Sequence, residues 1–233
     1  MNSNYLYLTL DLLTILFPLL FSFYPKANFS KKWKYLWPAI LIPGIIFIAW
    51  DEFFTRLGVW GFNEKYLSGL YIGSLPIEEI LFFICIPYAC VFTYEALKYL
   101  VSKEHLGSRQ KNVSITLIVV CFFIGVFSID KWYTSTTFLS LAIFLTMLLL
   151  LKRYSFLGRF YFAFLFILIP FFLVNGILTG SGIEEPVVWY NDDENLGLRI
   201  ATIPIEDVFY GMLLVMMNVS IFEWLQGKSL GKT

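Results

Sequence analysis

Long apolar stretches dominate the chain and alternate with short polar connections. A helix needs roughly 20 residues to cross the hydrocarbon core of a bilayer. Stretches of about that length occupy residues 4–24, 36–55, 75–97, 113–130, 134–151, 159–178 and 200–225. The pattern therefore predicts an all-α integral membrane protein with seven transmembrane helices.

Composition supports a fold in lipid. Hydrophobic residues make up 58% of the chain and charged residues only 15%, which leaves too little polar surface to coat a water-soluble globule. The formal net charge is zero, and no basic cluster is interleaved with aromatic residues. We therefore expect lipid contacts and no nucleic-acid partner.

Basic residues are unevenly distributed among the predicted connections. Most of the 17 lysine and arginine residues follow the first, third and fifth stretches or lie in the C-terminal tail. Cytoplasmic loops collect positive charge. We expect the N-terminus outside and the C-terminus in the cytoplasm.

The second half of the chain repeats the first. The segment Leu75–Ile80, with the sequence LPIEEI, recurs as Ile203–Val208, with the sequence IPIEDV. The offset is 128 residues, the distance from Pro76 to Pro204, and it also pairs Tyr5 with Tyr133. A repeat of this length predicts two units of three helices each.

One linking helix between two three-helix units makes both units enter the membrane in the same orientation. This arrangement gives parallel rather than inverted repeats. We expect the first unit at residues 1–101, a linker with the fourth helix at 102–132, the second unit at 133–226 and a cytoplasmic tail at 227–233.

Each copy of the repeated segment places two adjacent carboxyl side chains behind a proline. The residues are Pro76, Glu78 and Glu79 in the first copy and Pro204, Glu206 and Asp207 in the second. We expect each proline in the first turn of a helix, where acidic residues can simply favour the helix dipole. Carboxyl groups are expensive in an apolar setting, so their duplication favours acid and base chemistry on an apolar substrate.

Several further residues accompany the repeated carboxyls. Asp51 and Asn175 correspond at an offset of 124 residues, each near the end of the preceding apolar stretch. Phe82 and Tyr210 correspond at the offset of 128 and are candidates for the substrate pocket. Trp60 suits either stabilisation of a cation or anchoring at the membrane interface, and anchoring is the simpler interpretation.

Three other acidic residues, in the first, third and seventh apolar stretches, are weaker candidates for a catalytic role. Asp11 lies within the first predicted span, where it could serve catalysis or tie two helices together. Glu95 and Glu223 follow the repeated carboxyls by 17 residues, which places them about 25 Å further along their helices. We expect both to be structural and to pair with Lys98 or with lysines of the tail.

Cofactor motifs are missing from the sequence. No G-x-G-x-x-G follows a strand-like segment, which argues against a flavin or nicotinamide site. The one histidine, His105, falls in a basic connection and cannot form a histidine cluster for iron or zinc. We expect neither a cofactor nor a metal.

Together these motifs resemble the membrane lycopene cyclases of the heterodimer type, in the bacterial form that fuses both subunits into one chain. The residues that carry the resemblance are Asp51, Gly58-Val59-Trp60, Gly69, Pro76-Ile77-Glu78-Glu79, Pro204-Ile205-Glu206-Asp207 and Glu223. The resemblance covers essentially the whole chain. It implies a lycopene β-cyclase of the bacterial inner membrane that forms γ- and β-carotene from lycopene of the bilayer, without redox change or cofactor.

Two differences between the halves argue against equivalent roles, because Asp207 stands opposite Glu79 and Asn175 opposite Asp51. Cyclisation requires protonation of an alkene, ring closure through a carbocation and loss of a proton, which two carboxyls in different environments can perform. Glu78 and Glu206 are the principal catalytic candidates, followed by Glu79, Asp207 and Asp51. The sequence does not assign acid and base.

Two other functions fit some of these features. A related membrane carotenoid hydratase would begin with the same protonation and let water capture the cation. A proton-coupled carrier would also have parallel repeats and membrane carboxyls. Against the carrier, the carboxyls cluster at one membrane edge. Neither the ring type, the number of ends cyclised nor the oligomeric state follows from the sequence.

Overall fold

The computed structural model describes residues 3–25, 28–101 and 106–230, so that His105 lies outside the described residues. Seven α-helices build the described part of the chain. They are α1 Leu6–Phe21, α2 Trp33–Leu57, α3 Ile77–Leu100, α4 Gln110–Phe127, α5 Trp132–Leu150, α6 Leu157–Leu178 and α7 Ile205–Leu230. The predicted all-α membrane fold with seven helices is confirmed.

Six of these helices, α2 to α7, are long and apolar enough to cross a bilayer. The first helix is also apolar but has only 16 residues, fewer than the roughly 20 that a span needs. A 3-10 turn at Ser3–Tyr5 precedes it. The first predicted span is therefore shorter as a helix than its apolar stretch suggested.

Short strands lie at the end of the bundle where α3 and α7 begin, and we call this end the hairpin face. Three antiparallel pairs form there: β1 Trp60–Phe62 with β4 Val188–Tyr190, β2 Tyr71–Ile72 with β3 Leu75–Pro76, and β5 Arg199–Ile200 with β6 Ile203–Pro204. The β1–β4 pair joins the loops of the two halves. The other two pairs occupy equivalent positions at the offset of 128 residues.

Local structure at the hairpin face repeats as well. Asn63 and Asn191 each accept a hydrogen bond from the backbone N–H two residues further on. Gly69 and Gly197 both have positive φ, at 85° and 69°, a conformation that favours glycine. The sequence repeat therefore corresponds to repeated turns, while the proposed unit boundaries stay a prediction.

The two prolines differ from the expectation, because they precede their helices instead of lying in the first turn. Pro76 has an extended ψ of 151° and is the N-cap residue of α3. Pro204 likewise ends β6, directly before Ile205 begins α7. Each proline pairs across a hairpin, Pro76 with Tyr71 and Pro204 with Arg199, and this pairing requires extended backbone. The carboxyls still lie in the first turns.

The helices of the two halves interlock. In the first half α3 packs against α1 and α2, and in the second half α7 packs against α5. Across the halves, α2 packs against α7 and α3 against α6. Buried aromatic side chains such as Phe47, Phe83 and Phe138 fill the shared core, so the cavity described below has walls from both halves.

At the opposite end of the bundle, Glu95 and Glu223 form an ion-pair network. The Lys98 ammonium donates to Glu95 at 3.3 Å and to Glu223 at 2.7 Å. Lys32 also binds Glu95, and the Tyr94 hydroxyl donates to Glu223 at 2.7 Å. The expected pairing of both glutamates with Lys98 is confirmed, and it ties α3 to α7.

Cysteine labelling can test the predicted orientation, because the three native cysteines are free and buried. A cysteine at Ile200, which is exposed on the hairpin face, should react with a membrane-impermeant maleimide in intact cells. A cysteine at Leu151, exposed at the opposite end, should react only after lysis. The native chain is the control, and labelling of Leu151→Cys alone in intact cells would reverse the orientation.

Candidate active site

A cavity of about 490 Å³ lies between the two halves near the hairpin face. Its walls come from α1, α2, α3, α5, α6 and α7 together with strands β1 and β4. Most of the lining side chains are apolar or aromatic, and few polar groups reach the cavity. Such a cavity suits an apolar ligand that a few polar groups orient.

Four polar side chains at helix ends converge on this cavity. Asp51 and Asn175 lie near the ends of α2 and α6, and Glu79 and Asp207 lie in the first turns of α3 and α7. All three carboxyl groups are buried. The structure thus brings together four of the residues that the sequence singled out.

Asp207 accepts hydrogen bonds from three side chains. The Tyr133 hydroxyl donates to Oδ1 at 2.5 Å, and the Asn175 amide and the Tyr190 hydroxyl donate to Oδ2 at 2.7 Å and 3.0 Å. An ionised carboxylate is an acceptor only, and several donors favour that form. The surroundings of Asp207 therefore suit a carboxylate that can later take up a proton.

Tyr190 lies in β4, outside the membrane-spanning helices. Burial, followed by the nearby carboxyl of Asp207, raises the pKa of Tyr190 well above its ordinary value. The phenol consequently keeps its proton at neutral pH, which preserves its hydrogen bond to Asp207.

The first half places two carboxyls against each other. The carboxyl groups of Asp51 and Glu79 line the same cavity and interact electrostatically. Tyr7 donates to Glu79 Oε2 at 2.5 Å, Trp60 donates to Asp51 Oδ1, and Asp51 Oδ2 has no hydrogen-bond partner among the described residues. Two buried carboxyls that repel each other when both are ionised suit a pair that shares one proton.

The two halves thus make the same arrangement with different chemistry. Asp51 faces Glu79 in the first half, and Asn175 donates to Asp207 in the second. An amide supplies a donor without carrying a titratable proton. The first half can accordingly share a titratable proton between two carboxyls, whereas in the second half Asn175 supplies only a hydrogen-bond donor.

Glu78 and Glu206, the principal candidates from the sequence, are fully buried but do not line the cavity. Glu78 Oε1 accepts the Ser68 backbone N–H at 2.7 Å, and Glu206 Oε1 accepts the Leu196 backbone N–H at 2.8 Å. Thr134 also donates to Glu206 Oε1 at 2.7 Å. Both glutamates therefore hold the hairpin-face loops against the first turns of their helices.

Neighbouring residues of a helix cannot face the same way, since successive side chains are separated by about 100° at 3.6 residues per turn. When Glu79 and Asp207 face the cavity, Glu78 and Glu206 must face elsewhere. The helices are apolar all round, so hydrophobic periodicity gave no indication of which member of each pair faces inward.

The aromatic lining surrounds the carboxyls. Trp60 is buried and its ring centroid lies 5.0 Å from that of Tyr133 and 6.1 Å from that of Tyr210. Interface anchoring was therefore the wrong interpretation of Trp60, because its N–H binds Asp51 in the core. Phe82 also lines the cavity, whereas Pro76 and Pro204 do not.

Three tyrosines at the site were missing from the candidates: Tyr7, Tyr133 and Tyr190. The repeat paired Tyr133 with Tyr5, but Tyr5 is 50% exposed and Tyr7 makes the equivalent contact to the first-half carboxyl. The helical register of α1 and α5 thus differs by two residues from that of the hairpins. A tyrosine in the first helix of each half, α1 or α5, could have indicated these residues. The two-residue difference in register hid the correspondence between Tyr7 and Tyr133.

The cavity reaches the apolar surface of the bundle. Leu13 and Phe17 of α1 and Leu173 of α6 line it, and all three are more than half exposed. A molecule dissolved in the surrounding hydrocarbon could enter between these two helices without crossing water.

Comparison with known proteins supports the sequence resemblance. The family model described as lycopene cyclase matches residues 4–97 and 130–225. A bifunctional lycopene cyclase/phytoene synthase of Aspergillus niger is 25% identical over 83 residues, which are 34% of this chain and 14% of that protein. The protein of the same description from Aspergillus oryzae is 25% identical over 103 residues, 39% of this chain and 18% of its own length.

The matched segments thus span less than a fifth of these curated relatives. No solved structure matches the chain. The family match, by contrast, covers most of both halves, including all the carboxyls that converge on the cavity. The chain belongs to the lycopene cyclase family.

Proposed function

We propose that the protein is a lycopene β-cyclase in which the Asp51–Glu79 pair donates a proton and Asp207 accepts one. The observation that carries this proposal is the difference between the two halves of one apolar cavity, where two carboxyls, Asp51 and Glu79, line the first half and an amide, Asn175, donates to Asp207 in the second. Lycopene would give γ-carotene after one closure and β-carotene after two. The net reaction is an isomerisation, which needs neither an oxidant nor a cofactor.

Protonation of the terminal alkene begins the reaction. The proton shared by Asp51 and Glu79 is transferred to an alkene carbon, which leaves a tertiary carbocation and a deprotonated pair. The hydrogen bonds from Trp60 and Tyr7 then stabilise the negative charge left on the two carboxyls.

The carbocation forms in an aromatic and largely dry enclosure. The rings of Trp60, Tyr133 and Tyr210 line the cavity, with that of Tyr210 6.1 Å and 6.2 Å from those of Trp60 and Tyr133. Aromatic faces attract cations, and exclusion of water prevents capture of the cation by hydroxide or water. An internal double bond attacks the cation and closes the ring.

Loss of a proton from the new ring completes the reaction. Asp207 is the base, since it lines the same cavity as the acid pair and accepts hydrogen bonds from Asn175 and Tyr133, which favour its carboxylate form. Its uptake of a substrate proton restores the neutral carotene. Acid and base therefore belong to different halves of the chain.

The substrate and the location follow from the same proposal. A carotenoid enters from the bilayer between α1 and α6, past Leu13 and Leu173. We place the protein in the bacterial inner membrane with its N-terminus outside. It is the fused form of a heterodimeric cyclase, with units at 1–101 and 133–226.

Pigment analysis tests the proposed activity. Expression in bacteria that accumulate lycopene should convert the pigment to carotenes with β-rings, because the acid, the base and the dry cavity are all supplied by this chain. Liquid chromatography with mass spectrometry separates the outcomes. Hydroxylated acyclic products would instead indicate the related hydratase, and unchanged lycopene would contradict both enzymes and leave the carrier.

Conservative substitutions distinguish the cavity carboxyls from the loop-binding ones. Glu79→Gln and Asp207→Asn should each lower the cyclisation rate by about 100-fold or more, since each removes a proton-transfer group. Glu206→Gln keeps a carbonyl oxygen for the Leu196 N–H and should retain most activity. Initial rates in membranes with equal amounts of protein test this, and a reversed order would restore Glu206 as the catalytic group.

The asymmetry between the halves predicts the effect of Asn175→Asp. The substitution would give Asp207 a carboxyl partner like that of Glu79, so the second half would also hold a shared proton and lose its base. We expect at least a tenfold lower cyclisation rate with unchanged thermal stability in detergent. Full activity would contradict the assignment of Asp207 as an ionised base.

A further inference from the structure

A second group of buried polar atoms lies beside the acid pair but off the cavity. Asp11 of α1 is 1% exposed, and neither of its carboxyl oxygens has a hydrogen-bond partner among the described residues. The fully buried Glu78 Oε2 and the Ser68 hydroxyl likewise have no partner there. Buried polar groups are almost always satisfied, so three such groups together call for an explanation.

These groups connect the hairpin face to the acid pair. Ser68 lies half-buried in the loop before β2, and its backbone N–H binds Glu78. Asp11 interacts electrostatically with Glu78 and with Glu79. It also lies one helical turn after Tyr7, on the same helix face, and Tyr7 donates to Glu79.

The second half has a weaker version of this group. Given that Tyr7 and Tyr133 play equivalent parts, the residue one turn further on is Asp11 in α1 and Thr137 in α5. The Thr137 hydroxyl and Glu206 Oε2 are also without partners in the described part of the chain, but Leu196 replaces Ser68. The first half alone carries a second ionisable group and a polar loop side chain.

We propose that Asp11, Glu78 and Ser68 form a hydrated proton-supply path that recharges the Asp51–Glu79 pair from the hairpin face. This inference rests on the proposed cyclase function. Ordered water would supply the missing partners, because buried waters bridge polar groups that otherwise lack them. Asp11 is a proton-relay residue here and does not contact the carotene, since it is absent from the cavity lining.

The path completes the proton balance of a turnover. The acid pair gives one proton to the alkene, and Asp207 takes one proton from the ring. A proton from external water then passes through Glu78 and Asp11 to the acid pair. Asp207 returns its proton to water beside Tyr190, which is half-buried at the hairpin face.

Solvent isotope labelling distinguishes two sources of the proton that recharges the acid pair: the solvent, and direct return of the substrate proton from Asp207. In deuterated water, with many turnovers per protein molecule, supply from solvent places one deuteron in every ring. Direct return of the substrate proton from Asp207 to the acid pair would leave the rings nearly free of deuterium after the first turnover, and this result would overturn the path.

Substitution of Asp11 tests the relay itself. The variant Asp11→Thr, studied as purified protein, places in the first half the residue type that the second half has at Thr137. It should lower the steady-state cyclisation rate at least tenfold while the first turnover, measured with protein in excess of lycopene, stays within about twofold. Asp11→Glu should recover part of the steady-state rate. The matched control Thr137→Val should leave both rates within about twofold of the native protein.

Three outcomes would overturn the proposal. An unchanged steady-state rate in Asp11→Thr would remove the relay, and an equal loss in both rates would show that Asp11 acts through packing or substrate contact. An equal slowing in Thr137→Val would show that the halves do not differ. In each of these cases the native protein still cyclises lycopene, so only the proton-supply path is overturned. A native protein that forms no rings would contradict the proposed cyclase function and, with it, the proton-supply path.

Discussion

The carboxylate-to-backbone hydrogen bonds of Glu78 and Glu206 are the constraint on which the site depends. Each ties a loop of the hairpin face to the first turn of its helix and so fixes the rotation of α3 and α7 about their axes. That rotation directs the next residue, Glu79 or Asp207, into the cavity. One carboxyl of each adjacent pair thus orients the other.

The two halves of the repeat differ in the residues that surround the cavity carboxyls, and these differences give the halves different chemical properties. Two equivalent helix ends provide the same framework, in which a residue of the preceding helix contacts the cavity carboxyl. A carboxyl in that place, Asp51, allows a shared proton, and an amide, Asn175, provides a donor to an anion. Both carboxyl sites lie in the first turns of α3 and α7 at the hairpin face and line the same cavity, so that the proposed addition and removal of a proton can act on one substrate.

Apolar length and the repeat were enough to predict seven helices. The sequence also named Asp51, Glu79 and Asp207, which the structure brings to one cavity, while their catalytic roles stay a prediction. The choice between Glu78 and Glu79 depends on helix rotation, which α3 does not encode because it is apolar all round. Tyr7 was missed because the register of α1 shifts by two residues against the hairpins, whereas Trp60 was a candidate whose two interpretations, cation stabilisation and interface anchoring, residue type alone could not separate.

Infrared spectroscopy of the resting protein tests the central claim, that the two halves hold their carboxyls in different protonation states. Protonated carboxyl groups give a carbonyl stretching band that ionised carboxylates lack. We expect Glu79→Gln to remove a band of this kind and Asp207→Asn to remove none. Loss of a protonated-carboxyl band in Asp207→Asn, or its persistence unchanged in Glu79→Gln, would contradict the assignment of acid and base.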